Sequence, residues 1–282
     1  MPPARAAAVL LVVFALAGCE TIAPALNLLI SRSGYRVEEN VAYGAAPRQT
    51  LDIYTPDHLT AKAPVILFFY GGSWQTGRKE DYLAFGESFA TKGIVVAIAD
   101  YRVYPEVRYP DFLKDGAAAF AYVHAHIAEY GGDPDRIFLA GHSAGAYIAA
   151  MLAADPRYLD EAGAKLSQVR GVIGIAGPYD FLPLTDPTLI AIFGGAHRED
   201  TQPITYIDGK RPPMLLATGD ADTTVGPGNT ARFAAKLRSF DSPVEARVYP
   251  GISHVGIILS IAPMLRGNTT LREDIINFVN AN

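Results

Sequence analysis

The chain has 282 residues, of which 50% are apolar and 19% are charged, and its formal net charge is -5. This length and apolar content fit one large α/β domain or two small ones, and they exclude a disordered chain. The acidic balance excludes a general nucleic-acid-binding protein, which needs a basic face. With a single cysteine no internal disulfide can form, so the stability of the fold has to come from its core.

The N-terminus carries the features of an export signal. Arg5 precedes an unbroken apolar run at residues 6–17, which is shorter than the roughly 20 residues that a membrane-spanning helix needs. The run ends in the four residues LAGC, which place Cys19 in a context that resembles the lipobox of bacterial lipoproteins. An ordinary signal peptide, or an N-terminal helix buried in the fold, is the alternative interpretation.

The lipobox resemblance implies a lipid anchor. By that resemblance, residues 1–18 form the signal peptide, the thiol of Cys19 is lipidated, and residues 19–34 form a tether to the folded domain. Glu20 would be the second residue of the mature chain, which favours the outer membrane by resemblance to the sorting rule of Gram-negative lipoproteins. We therefore expect a protein of the bacterial cell envelope, held at a membrane on its periplasmic or surface face.

Short apolar runs and helix-length segments alternate along the remaining chain, residues 35–282. Strands are predicted at residues 50–54, 65–70, 94–99, 137–140, 172–176, 214–218 and 245–249. Helices are predicted at residues 82–91, 110–130, 144–154, 228–240 and 270–279. Unbroken apolar runs of this length are typical of strands buried on both faces of a parallel sheet. The alternation therefore predicts one doubly wound α/β domain, with helices on both faces of a mostly parallel sheet.

One irregular stretch, residues 179–211, joins two of the predicted strands. A segment of this length inside a compact domain is usually functional. Because the stretch is rich in apolar residues, we interpret it as a short lid-like insertion that encloses a small substrate pocket. Phe181 and Phe193 are expected to line this pocket, with Trp74 facing them from another loop, and a core role is the alternative for Trp74.

Residues 141–145, with the sequence GHSAG, carry the first catalytic motif. The motif follows a predicted strand and opens a predicted helix, which is the context of a nucleophile elbow. Its two glycines lack Cβ atoms, so the strand and the helix can approach closely at a sharp turn that exposes the hydroxyl of Ser143. Ser143 is therefore the predicted nucleophile. A plain glycine-rich turn with Ser143 as helix N-cap is the alternative.

The predicted acid follows the strand at residues 214–218. A serine hydroxyl needs a base to remove its proton, and in folds with a nucleophile elbow the chain order is serine, acid, histidine. Asp222 lies further into the loop, where its side chain can turn back toward a histidine, so it is the predicted acid; its context also resembles a family pattern, G-x-x-D-x-x-V, that implies the same role. Asp220 is the competing candidate, although it lies nearest the strand end and could instead organise the turn.

His254 follows the last predicted strand and is the predicted base, with Asp222 holding its tautomer. His142 is the variable residue of the elbow. His124 and His126 are two positions apart on a predicted helix, so they do not share a face. No group of histidines has the spacing of zinc ligands, so no metal site is expected.

The third motif, YGGSW at residues 70–74, follows a predicted strand. It resembles the HGGG-type loop of esterases, whose backbone amides stabilise a tetrahedral oxyanion. Tyr70 replaces the usual histidine and Ser73 the usual third glycine, but neither change removes a donor because the donors are backbone groups. The resemblance implies oxyanion donors at Gly72, Ser73 and Ala144.

Taken together, the motifs carry a resemblance to a known family. They lie in six segments spread over residues 41–257: LDIYTP, YGGSWQTG, DYRVYPEVRYPD, GHSAGAYIAA, ATGDADTTV and YPGISHVGI. The chain resembles α/β-hydrolases of the carboxylesterase superfamily, and within it the prenylcysteine methylesterase-like proteins and the deacetylase/feruloyl-esterase-like (BD-FAE) group. This resemblance implies the α/β-hydrolase fold and hydrolysis of a carboxylic ester through an acyl-serine intermediate, with no cofactor.

Two other functions use the same residues or the same fold. An amidase or formamidase cleaves C–N bonds with the same triad, and a hydrolase fold without activity can serve as a binding lipoprotein. Because all three triad members are present, the sequence favours an enzyme. The expected partners are a small-molecule ester with a short acyl chain and, through Cys19, a membrane.

Overall fold

An eight-stranded sheet forms the centre of the structure, a computed structural model that describes residues 27–282. In chain order its strands are β1 (Tyr35–Ala42), β2 (Thr50–Pro56), β3 (Ala63–Phe69), β4 (Val95–Ala99), β5 (Gly132–His142), β6 (Val169–Ile175), β7 (Met214–Gly219) and β8 (Val244–Tyr249). They lie in the order β1-β2-β4-β3-β5-β6-β7-β8. The β1–β2 and β2–β4 pairs are antiparallel and all other pairs are parallel, so the predicted mostly parallel sheet is confirmed.

Helices pack on both faces of this sheet. In chain order from β1 onward they are α1 (Leu83–Ala90), α2 (Asp111–His126), α3 (Ala144–Ala154), α4 (Arg157–Glu161), α5 (Pro187–Phe193), α6 (Gly228–Arg238), α7 (His254–Leu259) and α8 (Leu271–Ala281). Consecutive residues of a strand point to opposite faces. The ring centroid of Phe68 lies 3.9 Å from that of Phe85 on α1, whereas Phe69 faces α2 at Gly116, where an added Cβ would lie 3.6 Å from its ring.

The sequence patterns do not predict β1. Among residues 27–282 this strand pairs only with β2, and most of its side chains are exposed, with Tyr35 as its buried residue. A bulge between Glu38 and Val41, with Asn40 at a φ of 60°, interrupts its pairing. The strand therefore lacks both the apolar run and the regular alternation that mark a buried strand, because edge strands are commonly charged and irregular.

The expectation of burial on both faces is wrong for β8. This strand is the other edge of the sheet, and its residues from Glu245 to Val248 are exposed. Val248 alone is 56% exposed. The charged side chains of Glu245 and Arg247 fit an edge strand, which avoids pairing with other chains by carrying charge.

The carboxyl ends of β3, β5, β7 and β8 lie at one edge of the sheet, where parallel strands of an α/β fold place their ligand sites. Each of these ends leads into a loop that carries one of the sequence motifs. Within residues 27–282, no helix combines the length and the apolar character that crossing a bilayer requires. The predicted signal peptide and Cys19 lie outside the described residues.

Candidate active site

Ser143 lies at the sharp turn between β5 and α3, with φ 55° and ψ -121°. A Cβ at Gly141 would lie 2.2 Å from the carbonyl carbon of Gly145, and a Cβ at Gly145 would lie 2.0 Å from the carbonyl oxygen of Phe69. Only glycine fits at both positions. The strained backbone of Ser143 is therefore held in place by the packing of the strand, the turn and the helix around it.

Ser143, His254 and Asp222 form a continuous chain of hydrogen bonds. Nε2 of His254 lies 2.9 Å from Oγ of Ser143, and Nδ1 of His254 lies 2.7 Å from Oδ2 of Asp222. Because a carboxylate only accepts hydrogen bonds, Nδ1 carries the proton and Nε2 is left to accept the proton of the hydroxyl. The side chain of Asp222 is fully buried, whereas 12% of the His254 side chain is exposed. The structure thus brings the three predicted triad residues together.

The loop after β7 uses its two carboxylates for different contacts. Oδ1 of Asp222 accepts hydrogen bonds from the amides of Thr224 at 2.9 Å and Val225 at 2.8 Å, so both oxygens of Asp222 have partners. Oδ1 of Asp220 instead accepts a hydrogen bond from the amide of Gly251 at 2.6 Å. Asp222 is therefore the carboxylate that contacts the histidine, while Asp220 joins the two loops.

His142 is a neighbour of the triad that the motif alone does not assign to a role. The residue is 3% exposed, and its ring centroid lies 4.9 Å from that of His254. Nε2 of His142 lies 3.0 Å from the backbone oxygen of His254, and since that oxygen only accepts, Nε2 is the donor. Burial, together with the nearby His254, lowers the pKa of His142 to about 3. His142 is therefore neutral when His254 acts as a base.

The loop after β3 folds back against the elbow. Gly72, Ser73 and Trp74 all have positive φ values, of 127°, 52° and 58°. A Cβ at Gly72 would lie 2.3 Å from a backbone oxygen of the same loop, so this turn requires glycine. A Cβ at Gly71 would lie 3.0 Å from Cβ of Ser143, which shows how closely the loop approaches the nucleophile.

The predicted oxyanion donors are the backbone amides of Gly72, Ser73 and Ala144. Among the hydrogen bonds of residues 27–282, none uses these three amides as donors. Ala144 opens α3, where the amides of the first turn have no partner within the helix and the helix dipole favours negative charge. These amides are therefore available to an oxygen that becomes negative beside Ser143.

Residues 70–78 form the loop after β3, which is called the oxyanion loop below, and Tyr70 and its partners support it. The hydroxyl of Tyr70 donates to Oδ1 of Asp100 at 2.7 Å and accepts from Nη2 of Arg48 at 2.7 Å. Arg48 also donates to the carbonyl of Gly77 at 2.6 Å, and the amide of Lys79 donates to Asp100 at 2.9 Å. Burial raises the pKa of Asp100, and the hydrogen bonds from Tyr70 and Lys79 oppose that shift. Side chains from remote parts of the sequence thus hold both ends of the loop.

Trp74, Phe181 and Phe193 belong to one aromatic cluster. The ring of Trp74 meets Phe193 edge-on at 4.8 Å and Tyr147 edge-on at 5.2 Å, and it stacks on Phe181 at 6.2 Å. Trp74 is 3% exposed and Phe193 is fully buried, whereas Phe181 is half-buried. That the three rings line a substrate pocket stays a prediction. Trp74 and Phe193 pack inside the cluster, because large rings gain most from mutual burial, and Phe181 remains nearest the surface.

The insertion at residues 179–211 is held at several points by the rest of the domain. Oδ1 of Asn229 accepts a hydrogen bond from the amide of Tyr179 at 3.0 Å. The hydroxyl of Tyr147 donates to the carbonyl of Thr201 at 2.7 Å. The insertion also contains its own helix, α5, which an irregular sequence pattern did not predict. These hydrogen bonds hold the insertion against the rest of the domain in this conformation, and its role as a short lid stays a prediction.

The arrangement supplies the groups that attack on a carbonyl carbon requires. A hydroxyl lies beside a base, the base is held by a buried carboxylate, and backbone amides are close to the hydroxyl. Within the part of the chain that the structure describes, no cluster of three or more His, Cys, Asp or Glu side chains is arranged to hold a metal ion.

The fold and the site define an α/β-hydrolase. The profile of the BD-FAE family matches residues 51–237, and the chain belongs to this family. The chain is 29% identical over 268 residues to isoprenylcysteine alpha-carbonyl methylesterase of Arabidopsis thaliana, and 31% identical over 243 residues to esterase LipC of Mycobacterium tuberculosis. These alignments cover 87% and 78% of this chain but 62% and 60% of the relatives. The chain thus spans about three fifths of the length of these curated relatives.

Solved structures of esterases share the fold. Esterase 2 of Thermogutta terrifontis with bound butyrate is 25% identical, and the match covers 91% of this chain and 97% of that one with a TM-score of 0.71. The same esterase phosphoramylated by tabun matches at 25% identity, with a TM-score of 0.73 and coverage of 90% and 96%. A truncated carbohydrate esterase from gut microbiota matches at 22% identity with a TM-score of 0.78, over 89% of this chain and 98% of that one.

Proposed function

We propose that this chain is a serine carboxylesterase that hydrolyses esters with short acyl chains. The observation that carries the proposal is the chain of hydrogen bonds from Asp222 through His254 to Ser143. The hydroxyl of Ser143 lies beside the oxyanion loop. This combination of an activated hydroxyl and backbone donors is the requirement for acyl transfer to serine. The names of the curated relatives, a methylesterase and an esterase, support the same reaction.

The reaction follows from the positions of these groups. Oγ of Ser143 attacks the ester carbonyl carbon while its proton passes to Nε2 of His254, and the carbonyl oxygen becomes an oxyanion near Ser73 and Ala144. The C–O bond to the alcohol then breaks, and the alcohol leaves with the proton from His254. Water next attacks the acyl-serine by the same route, which releases the carboxylic acid and restores the hydroxyl.

A short acyl chain is supported by the close packing of the aromatic cluster. Trp74, Phe193 and Tyr147 are buried against one another beside the oxyanion loop, and the insertion that carries Phe193 accepts a hydrogen bond from Tyr147 at Thr201. The butyrate bound to the Thermogutta terrifontis esterase 2 is a short-chain acid. We therefore expect the acyl chain of the substrate to be short and to lie beside the aromatic cluster, and the alcohol group to lie on the side open to solvent.

The central test is covalent labelling with a fluorophosphonate, which reacts with activated serines; the tabun adduct of Thermogutta terrifontis esterase 2 motivates this choice. The wild-type protein is expected to take the label at Ser143, and Ser143→Ala is expected to lose both the label and several powers of ten in kcat. Ser239→Ala changes an exposed serine and serves as the matched control, which should label normally.

A comparison of substrates with the same acyl group completes this test. The wild-type enzyme should hydrolyse 4-nitrophenyl butyrate much faster than the matching 4-nitroanilide. Absence of labelling in folded wild-type protein would contradict a serine esterase and favour a binding protein. Faster turnover of the anilide would instead assign the site to an amidase.

We also propose that Cys19 is the site of a lipid anchor that holds the enzyme at a membrane of the cell envelope, which the lipobox resemblance of residues 16–19 supports. One acyl chain gives weak binding, and two or more hold a protein firmly. Cys19→Ser should lose incorporation of a clickable fatty acid and leave the membrane fraction, while ester hydrolysis continues. A wild-type protein that lacks the label and washes freely from membranes would contradict the anchor.

A further inference from the structure

His142 contacts each of the three parts of the site. It is bonded through the chain to Ser143, and its Nε2 donates to the backbone oxygen of His254 at 3.0 Å. On its other edge, Nδ1 lies against the oxyanion loop, where a Cβ at Gly71 would be 3.0 Å from it. No other side-chain contact described above joins the nucleophile, the base and the oxyanion loop.

The hydrogen bond of His142 acts on the backbone of His254 rather than on its imidazole. His254 is the first residue of α7 and follows the loop that Gly251 and Ser253 belong to, so its position depends on where this loop is held. Asp220 holds the loop at Gly251, and His142 holds it at His254 itself. These two contacts hold the loop and the backbone of the residue that carries the imidazole.

We propose that His142 is a positioning residue, whose Nε2–H holds the backbone of His254 so that the base stays within hydrogen-bond distance of the nucleophile. This inference rests on the proposed esterase function. A shift of about 1 Å in a reacting group can cost about 10² in rate, so loss of the donor should appear in kcat. Substrate binding should be unaffected, because His142 is buried behind the triad.

The chemistry of the ring is suited to this position. His142 has a single donor, on Nε2, and within residues 27–282 its Nδ1 is buried without a hydrogen-bond partner. Burial disfavours a second proton on this ring, and the positive charge that His254 acquires during turnover disfavours it further. A neutral ring adds no repulsion when His254 takes the proton of Ser143. The residue therefore supplies a hydrogen bond without supplying a charge.

The test compares His142→Gln with His142→Asn. The amide nitrogen of glutamine can reach the position of Nε2, whereas that of asparagine is shorter by one methylene and corresponds to Nδ1. We expect Gln to keep most of the wild-type kcat, and Asn to lose about 10² in kcat with KM unchanged. His58→Asn removes an exposed histidine and serves as the control for the change of residue type.

The same variants separate positioning from a purely structural role. Equal losses of kcat in Gln and Asn that follow their losses of thermal stability would overturn the proposal, and so would full kcat in a folded Asn variant. His142→Phe, which keeps the size of the ring without the donor, should resemble Asn. If the wild-type protein itself neither labels nor hydrolyses esters, the esterase function fails. Full activity in the wild type and in the Asn variant would instead reject only the role of His142.

Discussion

The backbone amide of Gly251 donates a hydrogen bond of 2.6 Å to Asp220 and thereby joins the loop after β7 to the loop that carries His254. Asp222, two residues further on, contacts the imidazole itself. In the pattern Asp-Ala-Asp, the carboxylate of Asp220 therefore joins the two loops. The carboxylate of Asp222 fixes the tautomer of His254. The two carboxylates are expected to respond very differently to the same substitution.

Asp222→Asn should lower kcat by about 10⁴, because an amide at this position favours the wrong tautomer of the histidine. Asp220→Asn is the matched control, since its remaining side-chain oxygen can still accept from the amide of Gly251. Steady-state kinetics on 4-nitrophenyl butyrate measure both effects. A larger loss for Asp220→Asn than for Asp222→Asn would reverse the assignment of the acid.

A site residue can be predicted from sequence when the features that identify it lie close to it in the chain. Ser143, Asp222 and His254 each belong to a short motif after a strand, so the local sequence is enough to propose them. Tyr70 finds its partners Asp100 and Arg48 at separations of 30 and 22 residues, and no local sequence pattern pairs either of them with Tyr70. Only the three-dimensional fold reveals that support.

The same reasoning explains why the burial of Trp74 and the presence of strand β1 could not be predicted. The burial of Trp74 depends on Tyr147 from α3 and Phe193 from α5, and no pattern around Trp74 contains that information. Strand β1 is held by its pairing with β2 rather than by an apolar run of its own. Both features depend on contacts between segments that are distant in the chain, and the periodicity of the local sequence contains no information about such contacts.

Tyr70→Phe should lower the free energy of unfolding by about 1–3 kcal/mol, because it removes a hydrogen-bond partner from two buried or half-buried charged groups, Asp100 and Arg48. Since these groups hold the oxyanion loop, kcat should fall as well. Urea denaturation and kinetics on the same samples measure the two effects. Tyr122→Phe, at a half-buried position on α2, is the control and should change neither.

The acyl preference gives a further prediction. Each methylene that still fits adds about 0.8 kcal/mol of burial, and the first that does not fit costs more through strain. The value of kcat/KM on 4-nitrophenyl esters should therefore peak at roughly C2–C4 and fall by C8. Phe181→Ala, at the half-buried member of the aromatic cluster, should shift the peak to longer chains. A steady rise to C12 in the wild type would refute a closed acyl site.

The pH dependence of stability should contain a contribution from His142. Its pKa falls from its ordinary value of 6.5 to about 3 through burial and the nearby His254. Between these two pH values the unfolded chain binds the proton and the folded chain does not, so acidification favours unfolding. Between pH 6.5 and about pH 3 this group should remove up to about 1.4 kcal/mol of stability per pH unit, and below that window the loss should level off.

The variant His142→Gln isolates this contribution, because glutamine does not titrate. Urea denaturation at pH 7 and pH 5 should show a smaller loss of stability on acidification in the variant than in the wild-type protein. Equal losses in the two proteins would contradict a buried, neutral His142. The comparison uses the change in the free energy of unfolding between pH 7 and pH 5 in each protein. A constant difference in stability between the two proteins therefore does not affect it.

Ser143 and His254 are 111 residues apart in the chain, and Asp222 lies 32 residues before His254. No short fragment contains all three, so under the proposed mechanism an activated serine exists only in molecules whose sheet is assembled from β5 to β8. In an unfolded chain Ser143 is an ordinary hydroxyl, which a fluorophosphonate attacks slowly. Brief pulses of the probe at increasing urea concentrations would therefore count the native molecules directly. Labelling of Ser143 would thus report the fraction of folded molecules, including in crude extracts, where spectroscopic signals of one protein cannot be separated from those of the others.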